Sequence, residues 1–231
     1  MRKDQKIPKT DSEQGRILNI NKPVGKTSFD VVRYVRKLTG IKKVGHAGSL
    51  DPNATGILLI AVGKATKKIE LLMGLEKEYI GTITLGVETE TYDIEGKVVE
   101  TKDTSSITLD QIREALLGFS GTIQQVPPVY SALKYKGKPL YSYARKGIDI
   151  KPEPRSVNIY KMEFLSYREP EIVIRAVCSR GTYIRSIAHD LGKTLGVGGM
   201  LSALSRVRIG EYCIEDSLNW EDLPRTAEEL Y

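Results

Sequence analysis

A glycine-rich segment carries a carboxylate whose setting suits it for covalent or acid–base chemistry. The segment reads Gly45-His46-Ala47-Gly48-Ser49-Leu50-Asp51-Pro52-Asn53-Ala54-Thr55-Gly56. Because Asp51 precedes a proline, its backbone is held extended, and the glycines let a ligand approach the main chain closely. A carboxylate fixed on such a loop can act as a nucleophile or as a general base. The simpler alternative is that Asp51 caps a turn, which is the usual role of an isolated Leu-Asp-Pro.

The distribution of charge indicates a polyanionic partner. The 231 residues include 35 basic and 29 acidic side chains, for a net charge of +6. The last 21 residues hold seven acids and one base, which leaves 34 basic and 22 acidic residues, and a net charge of +12, in residues 1–210. Residues 22–43 are the densest basic stretch. This body favours binding to nucleic acid, with the acidic end directed away from it, although a solvated helix face would carry similar charge.

Other features argue against several classes of protein. The longest clean apolar run, Ile57 to Val62, is too short to cross a membrane, and the polar residues 1–14 show no secretory signal. Two distant cysteines do not make a disulfide framework and favour a cytoplasmic location. We expect no metal site, because ligand-type spacing is missing among the thiol and imidazole groups, which are Cys178, Cys213, His46 and His189.

Hydrophobic periodicity and capping signals predict the elements that position these residues. Strands are expected at Arg16 to Asn21, Ile57 to Val62, Tyr79 to Val87, Lys97 to Thr101, Val157 to Leu165 and Glu171 to Cys178. Helices are expected from Thr27 or Ser28 to about Leu38, from Thr108 to Leu117, and from about Ile184 to Gly196. Residues 124–152 are rich in Pro, Gly, Lys and Tyr without periodicity, which predicts a long functional loop. Strands interleaved with separate helices predict an α+β protein.

The segment around Asp51 resembles the active-site motif of the TruB family of RNA pseudouridine synthases. Other segments resemble that family in the same order along the chain: Asn21-Lys22-Pro23-Val24-Gly25, Lys77-Glu78-Tyr79, Thr89-Glu90-Thr91-Tyr92-Asp93, Pro127-Pro128-Val129-Tyr130-Ser131-Ala132-Leu133-Lys134, Ser179-Arg180-Gly181-Thr182-Tyr183-Ile184-Arg185-Ser186 and Leu204-Ser205-Arg206. The resemblance covers about residues 15–210. The chain departs from the usual motifs at Ser49, Glu90 and Ser205, where the family has Thr, Asp and Arg. None of these departures alters Asp51.

The resemblance implies that the chain isomerises a uridine within RNA, without a metal or cofactor, and that Asp51 is the essential carboxylate. Whether Asp51 attacks the sugar or the base, or removes a proton, stays open. A carboxylate that must remain ionised in a closed pocket needs a nearby cation, and Arg185 matches the family's arginine. Asp93 matches an acid that positions this arginine. Tyr79 matches the tyrosine that stacks on the target base, and as a catalytic residue it is also expected to assist proton transfer at C5.

The resemblance implies that three further residues bind the RNA, which are His46, Tyr183 and Leu204, and we expect Lys22 and Lys67 to bind it as well. The tyrosine and leucine would line the uracil pocket, the histidine would support the flipped-out nucleotide, and the lysines would contact phosphates. A base inside a folded RNA loop has to be extruded at a cost of a few kcal/mol. Core packing is the alternative for Tyr79 and Leu204, and simple solvation or hydrogen bonding is the alternative for His46.

The implied architecture is the pseudouridine synthase fold, in which helices flank a mixed, mainly antiparallel central sheet with an RNA-binding loop insertion at about 124–152. We expect a flexible leader at 1–14, a catalytic domain at 15–210, and an acidic C-terminal extension at 211–231. This extension is too short to form the PUA domain that follows in most family members. We therefore expect the chain to bind the T arm of tRNA alone. Independently of this, we expect a monomer.

The expected reaction converts the T-loop uridine at tRNA position 55 to pseudouridine, as in the bacterial stand-alone members of the family. One alternative is a guide-RNA-dependent catalytic subunit, and another is a tRNA-folding or tRNA-binding module without catalysis. A hydrolase or phosphotransferase that depends on Asp51 would want a second metal-binding acid close by, and residues 42–63 contain none.

Overall fold

The computed structural model describes residues 15–223, which form parts of two compact units. The first unit comprises the chain up to Lys77 and from Ser205 onward, and the second comprises Glu78–Leu204. The expected leader at 1–14 lies outside the described residues, and so does the segment 224–231. The proposed catalytic span of 15–210 thus draws on both units.

The first unit is built on an antiparallel pair of strands. Its strands are β1 (Arg16–Lys22), β2 (Val44–His46), β3 (Thr55–Val62), the last part of β12 (Gly199–Ile209), β13 (Tyr212–Cys213) and β14 (Leu218–Asn219). Strand β3 pairs antiparallel with β1 and β2 and parallel with β12, where Arg206 lies opposite Gly56. Every residue of β3 from Gly56 to Val62 is buried, so this strand is the centre of the unit, as its uninterrupted apolar run predicts.

Helix α1 (Ser28–Thr39) covers one face of this sheet with Val31, Val32 and Val35. A capping box between Thr27 and Asp30 begins the helix, and a left-handed glycine follows its end. These boundaries confirm the predicted helix. Arg36, one of the cations of the basic stretch at 22–43, is half-buried and donates to the Val44 carbonyl at 2.8 Å. A 3-10 turn (Gly63–Lys68) and the short helix α2 (Ile69–Gly74) lead out of β3.

The second unit has the strand order β12, β4, β11, β10, β7. Its strands are β4 (Lys77–Leu85), β5 (Val87–Thr89), β6 (Val98–Thr101), β7 (Gly121–Gln125), β10 (Arg155–Arg168) and β11 (Glu171–Cys178), with the first part of β12. Helices α3 (Leu109–Leu117) and α5 (Ile184–Thr194) contribute Ile112, Ile187 and Leu191 to its apolar core. Strands β10 and β11, and β10 and β7, pair antiparallel. The mixed sheets with flanking helices confirm the predicted α+β class.

The predicted loop at 124–152 has more structure than its composition indicates. Strand β7 continues to Gln125, so the non-repetitive part begins at Val126 and ends where β10 starts at Arg155. We call residues 126–154 the insertion segment. It contains a hairpin of β8 (Lys134–Tyr135) and β9 (Lys138–Pro139), followed by helix α4 (Leu140–Ala144).

The acidic segment packs into the first unit as far as it is described. Strand β14 pairs in parallel with β1, Leu223 is buried in the same apolar cluster as α1, and the Trp220 ring lies 5.0 Å from that of Tyr34. Apolar side chains between the acids thus anchor the described part of the expected C-terminal extension, residues 211–223, to the first unit. No helix within residues 15–223 is long and apolar enough to span a membrane.

Candidate active site

The backbone on both sides of Asp51 is fixed by hydrogen bonds from the first unit. The buried Ser28 hydroxyl accepts from the Leu50 N–H at 2.8 Å and donates to the Leu50 carbonyl at 3.1 Å. The Pro52 carbonyl accepts from the Gly25 N–H at 2.9 Å and from the Lys22 ammonium at 3.2 Å. Asp51 itself is half-buried, and its carbonyl accepts from the Ala54 N–H at 3.1 Å. Its carboxylate is therefore presented by a loop that is already ordered.

A buried arginine, Arg206, bonds backbone carbonyls that precede and follow Asp51 in the chain. Arg206 is 1% exposed. Its Nε donates to the Ile57 carbonyl at 2.8 Å, and its two terminal nitrogens donate to the carbonyls of Gly48 and Ser49 at 3.1 and 3.4 Å. These acceptors are neutral carbonyl groups. They therefore do not neutralise the positive charge that Arg206 places beside the loop.

Gly56 makes the close approach of the two strands possible. Its φ is +100°, and a Cβ at this position would lie 2.2 Å from the Arg206 carbonyl oxygen. A residue with a side chain would therefore push β3 and β12 apart. The contact with Arg206 therefore accounts for the presence of glycine at one of the three glycine positions of the motif.

His46 ends β2 close to this arginine. Burial lowers the pKa of the His46 imidazole below its ordinary value, and the positive charge of Arg206 lowers it further. The imidazole is thus neutral at neutral pH. A neutral ring offers one hydrogen-bond donor and one acceptor.

In the second unit, Arg185 and Asp93 form a buried ion pair. Arg185 Nη1 lies 3.2 Å from Asp93 Oδ2, and the two side chains are 6% and 11% exposed. The same guanidinium donates to the carbonyls of Thr91 at 3.2 Å and Tyr130 at 3.1 Å. Asp93 also accepts from the Thr91 hydroxyl at 2.5 Å and the Glu95 N–H at 3.0 Å. The planar guanidinium therefore has one fixed orientation.

Three other predicted site residues belong to the second unit. Tyr183 lies directly before α5, where Gln125 and Arg155 contact it. Tyr79 and Leu204 are half-buried and pack against the apolar core. Core packing thus accounts for part of the surface of both side chains, and their contact with the base stays a prediction.

Similarity to known proteins decides the family. The model of the TruB family pseudouridylate synthase N-terminal domain matches residues 36–184. A protein of Clostridium tetani named tRNA pseudouridine synthase B is 46% identical over 207 residues, covering 90% of this chain and 72% of that protein. The protein of the same name from Desulfotalea psychrophila is 48% identical and covers 93% and 89%. This chain belongs to the TruB family.

Solved structures agree with the TruB assignment. A crystal structure of a Cbf5-Nop10-Gar1 complex contains a chain that matches with a TM-score of 0.71 and 30% identity, covering 93% of this chain. A structure of an H/ACA RNP bound to a substrate RNA containing 2'-deoxyuridine matches with a TM-score of 0.69 and 27% identity, covering 96%. The chain spans 55% and 58% of those two chains. These matches confirm the predicted pseudouridine synthase fold.

The two lysines that we expected to contact phosphate differ in their exposure in this TruB chain. Lys22 is 0% exposed, and its ammonium donates to the carbonyls of Pro23, Lys26 and Pro52. These bonds use all three donors in a buried setting, so we correct its expected role from phosphate contact to support of the Asp51 loop. Lys67 is exposed in the 3-10 turn after β3, and its phosphate contact stays a prediction.

Sequence reasoning missed the residues that support the site. Ser28 was considered only as a helix cap, and Arg206 only as part of a terminal motif. Gln125 was counted with the loop. None of these three roles has a local signal, because each depends on contacts with residues far away in the chain. Among residues 15–223, no group of three or more His, Cys, Asp or Glu side chains is placed to hold a metal ion.

Proposed function

We propose that this TruB chain isomerises the T-loop uridine of tRNA to pseudouridine and that Asp51 is its essential carboxylate. The observation that carries the proposal is the loop around Asp51, whose backbone is held by Ser28, Lys22 and Arg206. Preorganised backbone is what a reacting group requires. The choice of tRNA is supported by the 46–48% identity to two proteins named tRNA pseudouridine synthase B.

The proposed reaction breaks one bond and forms one. The glycosidic bond between N1 of the uracil and C1′ of the ribose breaks, the base turns, and C5 bonds to C1′. The proton on C5 is lost to solvent and N1 gains one, so the product is an isomer and no electrons leave the system. Asp51 assists as nucleophile or as base, and Arg185 is the arginine that the family motif assigns to the reaction. Asp93 fixes the orientation of Arg185 through their 3.2 Å pair.

The target base is assigned to aromatic and apolar side chains of the second unit. Tyr79 is the residue assigned to stack on the uracil, and Tyr183 and Leu204 line its pocket. His46 is assigned to support the extruded nucleotide, for which its neutral ring is suited. These assignments follow the family motif residue by residue, and the extrusion has to be offset by contacts of this kind.

Exposed basic residues supply the attraction for the RNA backbone. On the outer face of α1, Arg33 and Lys37 are exposed, and Arg33 lies 5.4 Å from the centre of the exposed Phe29 ring. The insertion segment adds several further exposed cations: Lys134, Lys136, Lys138, Arg145, Lys146 and Lys151. Phosphate contacts of this kind make binding weaken steeply with salt.

Tritium release from uridine C5 tests the proposed function. A tRNA transcript labelled at C5 of its uridines is incubated with the chain and no other RNA or protein. We expect release of the label of the T-loop uridine alone, and no release when that uridine is replaced by cytidine. Equal release from both transcripts would contradict the T-loop assignment. A T-arm minihelix serves as the second substrate and tests whether the T arm suffices.

Two other functions give different results in this assay. A guide-RNA-dependent subunit would release no label until a guide RNA was added. A tRNA-binding module would bind the transcript and release no label under either condition. The direct reaction is favoured because identity is higher to the proteins named tRNA pseudouridine synthase B than to the matching chains of the Cbf5-Nop10-Gar1 complex and the H/ACA RNP.

A further inference from the structure

The two residues that flank the insertion segment, Gln125 and Arg155, contact the stretch of chain that carries Tyr183 and Arg185. On its N-terminal side, Gln125 is the last residue of β7 and is 0% exposed. Its amide oxygen accepts from the Tyr183 N–H at 2.8 Å, and its amide nitrogen donates to the Tyr183 carbonyl at 3.0 Å. One side chain thus satisfies both backbone groups of Tyr183. A buried amide with two partners of this kind fixes the position of a backbone unit closely.

On the C-terminal side of the insertion segment, Arg155 begins β10 and contacts the same stretch. Its guanidinium lies over the Tyr183 ring, 4.9 Å from the ring centre. Its Nη2 donates to the Gly181 carbonyl. Gln125 therefore holds the backbone of Tyr183, and Arg155 holds its ring.

Two residues of the insertion segment itself complete these contacts. The Val126 carbonyl accepts from the Ser186 hydroxyl at 2.8 Å, and the Tyr130 carbonyl accepts from Arg185 Nη2 at 3.1 Å. The segment that the family motif assigns to RNA binding is thereby bonded at its base to residues 181–186, which the motif assigns to catalysis.

We propose that Gln125 and Arg155 are positioning residues that set Tyr183 and Arg185 for reaction through the base of the insertion segment. The proposal rests on the proposed function of the chain. Neither residue has to touch the uridine. Their loss is expected to slow the reaction of bound RNA, because a displacement of about 1 Å in a reacting group can cost roughly a hundredfold in rate.

The first test compares Gln125→Met with Gln124→Met. Methionine keeps the volume of the buried glutamine and removes both hydrogen bonds. Gln124 is the exposed neighbour on the same strand, and its amide bonds the Ser156 hydroxyl rather than Tyr183. We expect Gln125→Met to lower the single-turnover rate at saturating tRNA by about tenfold or more, with the Kd for tRNA unchanged. Gln124→Met should match the parent, and equal rates for both variants would overturn the proposal.

A double-mutant cycle separates positioning from a general loss of structure. If Gln125 acts through Tyr183, its replacement should have little further effect once the Tyr183 side chain is removed in Tyr183→Ala. Effects that multiply independently would contradict the proposal. The active fraction of each variant is counted first, so that partial unfolding is not read as slower chemistry.

Hydrogen exchange tests whether Gln125 holds the backbone at Tyr183, without relying on the reaction. The amides of residues 183–186 should exchange faster in Gln125→Met than in Gln124→Met and in the parent. Unchanged exchange would show that Gln125 does not position residues 183–186, and would overturn the proposal even if turnover were lost. Conversely, a parent chain that releases no tritium from tRNA would contradict the proposed function while leaving this result intact.

Arg155→Lys covers the case in which Gln125→Met does not fold. Lysine keeps the positive charge, so an attraction to RNA phosphate is retained, but it lacks the planar group that lies over Tyr183 and bonds Gly181. We expect a lower single-turnover rate with an unchanged Kd for tRNA. A weaker Kd with an unchanged rate would show that Arg155 only binds RNA and would overturn its positioning role.

Discussion

The two units each bury an arginine, and the two arginines are satisfied in different ways. Arg206 of the first unit donates to the carbonyls of Gly48, Ser49 and Ile57, all of which are neutral. Arg185 of the second unit pairs with the Asp93 carboxylate at 3.2 Å and donates to two carbonyls. The first arrangement fixes three backbone carbonyls, whereas the second fixes the orientation of a guanidinium through a charged partner.

This difference indicates what each arginine contributes. The bonds of Arg206 end on the loop that leads to Asp51, so its removal should disorder that loop and reduce stability. The ion pair of Arg185 fixes one orientation of a cation that we assign to the reaction, so disturbing it should act mainly on turnover. Burial alone does not distinguish these roles, because both side chains are almost inaccessible.

The largest expected effect is that of Arg206→Met. The buried carbonyl of Ile57 and the partly buried carbonyls of Gly48 and Ser49 lose a charged donor, and a hydrogen bond to a charged group contributes about 1.5 kcal/mol or more. We expect the free energy of unfolding to fall by about 4 kcal/mol, measured by urea denaturation. The free energy of unfolding of Arg206→Lys should lie between those of Arg206→Met and the parent, since one ammonium cannot reach three separated carbonyls. A loss below about 1 kcal/mol in Arg206→Met would show that the loop is held by other contacts.

Asp93→Asn sharpens the comparison from the side of the second unit. Asparagine keeps the shape and the contacts of the side-chain oxygen but removes the charge facing Arg185. We expect the single-turnover rate to fall at least about tenfold, with a loss of stability near 2 kcal/mol and an unchanged Kd for tRNA.

The matched control for Asp93→Asn is Asp110→Asn, which removes the same charge at the exposed first turn of α3, where Asp110 lies 3.9 Å from Arg113. This control should keep the parent's rate. A normal rate in Asp93→Asn would mean that the ion pair does not orient Arg185 for the reaction.

Ser28→Ala tests the smaller support of the Asp51 loop. The hydroxyl makes two hydrogen bonds to Leu50, and its loss leaves a buried N–H and carbonyl without that partner. We expect a loss of stability of about 1–2 kcal/mol, measured by thermal or urea denaturation. Ser156→Ala removes an exposed hydroxyl bonded to Gln124 and should be close to neutral. Similar losses for both serines would argue against a specific role for Ser28.

The smallest effect concerns pH and His46. Because the pKa of His46 is lowered in the folded state, the unfolded chain takes up its proton first as the pH falls below the ordinary histidine value. Stability from this group is therefore complete above that pH and is lost on acidification, by less than about 1.4 kcal/mol per pH unit. His46→Gln should show a flatter decline between pH 7.5 and pH 5.5. Parallel declines in the two proteins would contradict the lowered pKa.

The sequence predicts elements well where the signal is local. The capping box at Thr27 and the apolar run of β3 locate α1 and the central strand of the first unit to within two residues at each end. The resemblance also pairs Asp93 with Arg185, which the structure brings together. It does not predict that Lys22 is buried, because a lysine in a basic stretch gives no sign of three carbonyls folding around its ammonium.

The supporting residues could not be found in this way for a physical reason. Arg206 lies about 150 positions from the carbonyls that it holds, and Gln125 lies 58 positions from Tyr183. Contacts of this kind come from strand order and register, which a single sequence does not reveal. The acidic count at 211–223 likewise gives no sign of the packing of Trp220 and Leu223 into the first unit.

The central claim is that the Asp51 carboxylate, presented by a preorganised loop, is the essential group of the reaction. The most direct measurement is single-turnover tritium release from saturating C5-labelled tRNA by Asp51→Asn, alongside its Kd for the same tRNA. We predict release indistinguishable from the background, with a Kd within about threefold of the parent. Release at a rate close to that of the parent would contradict the claim.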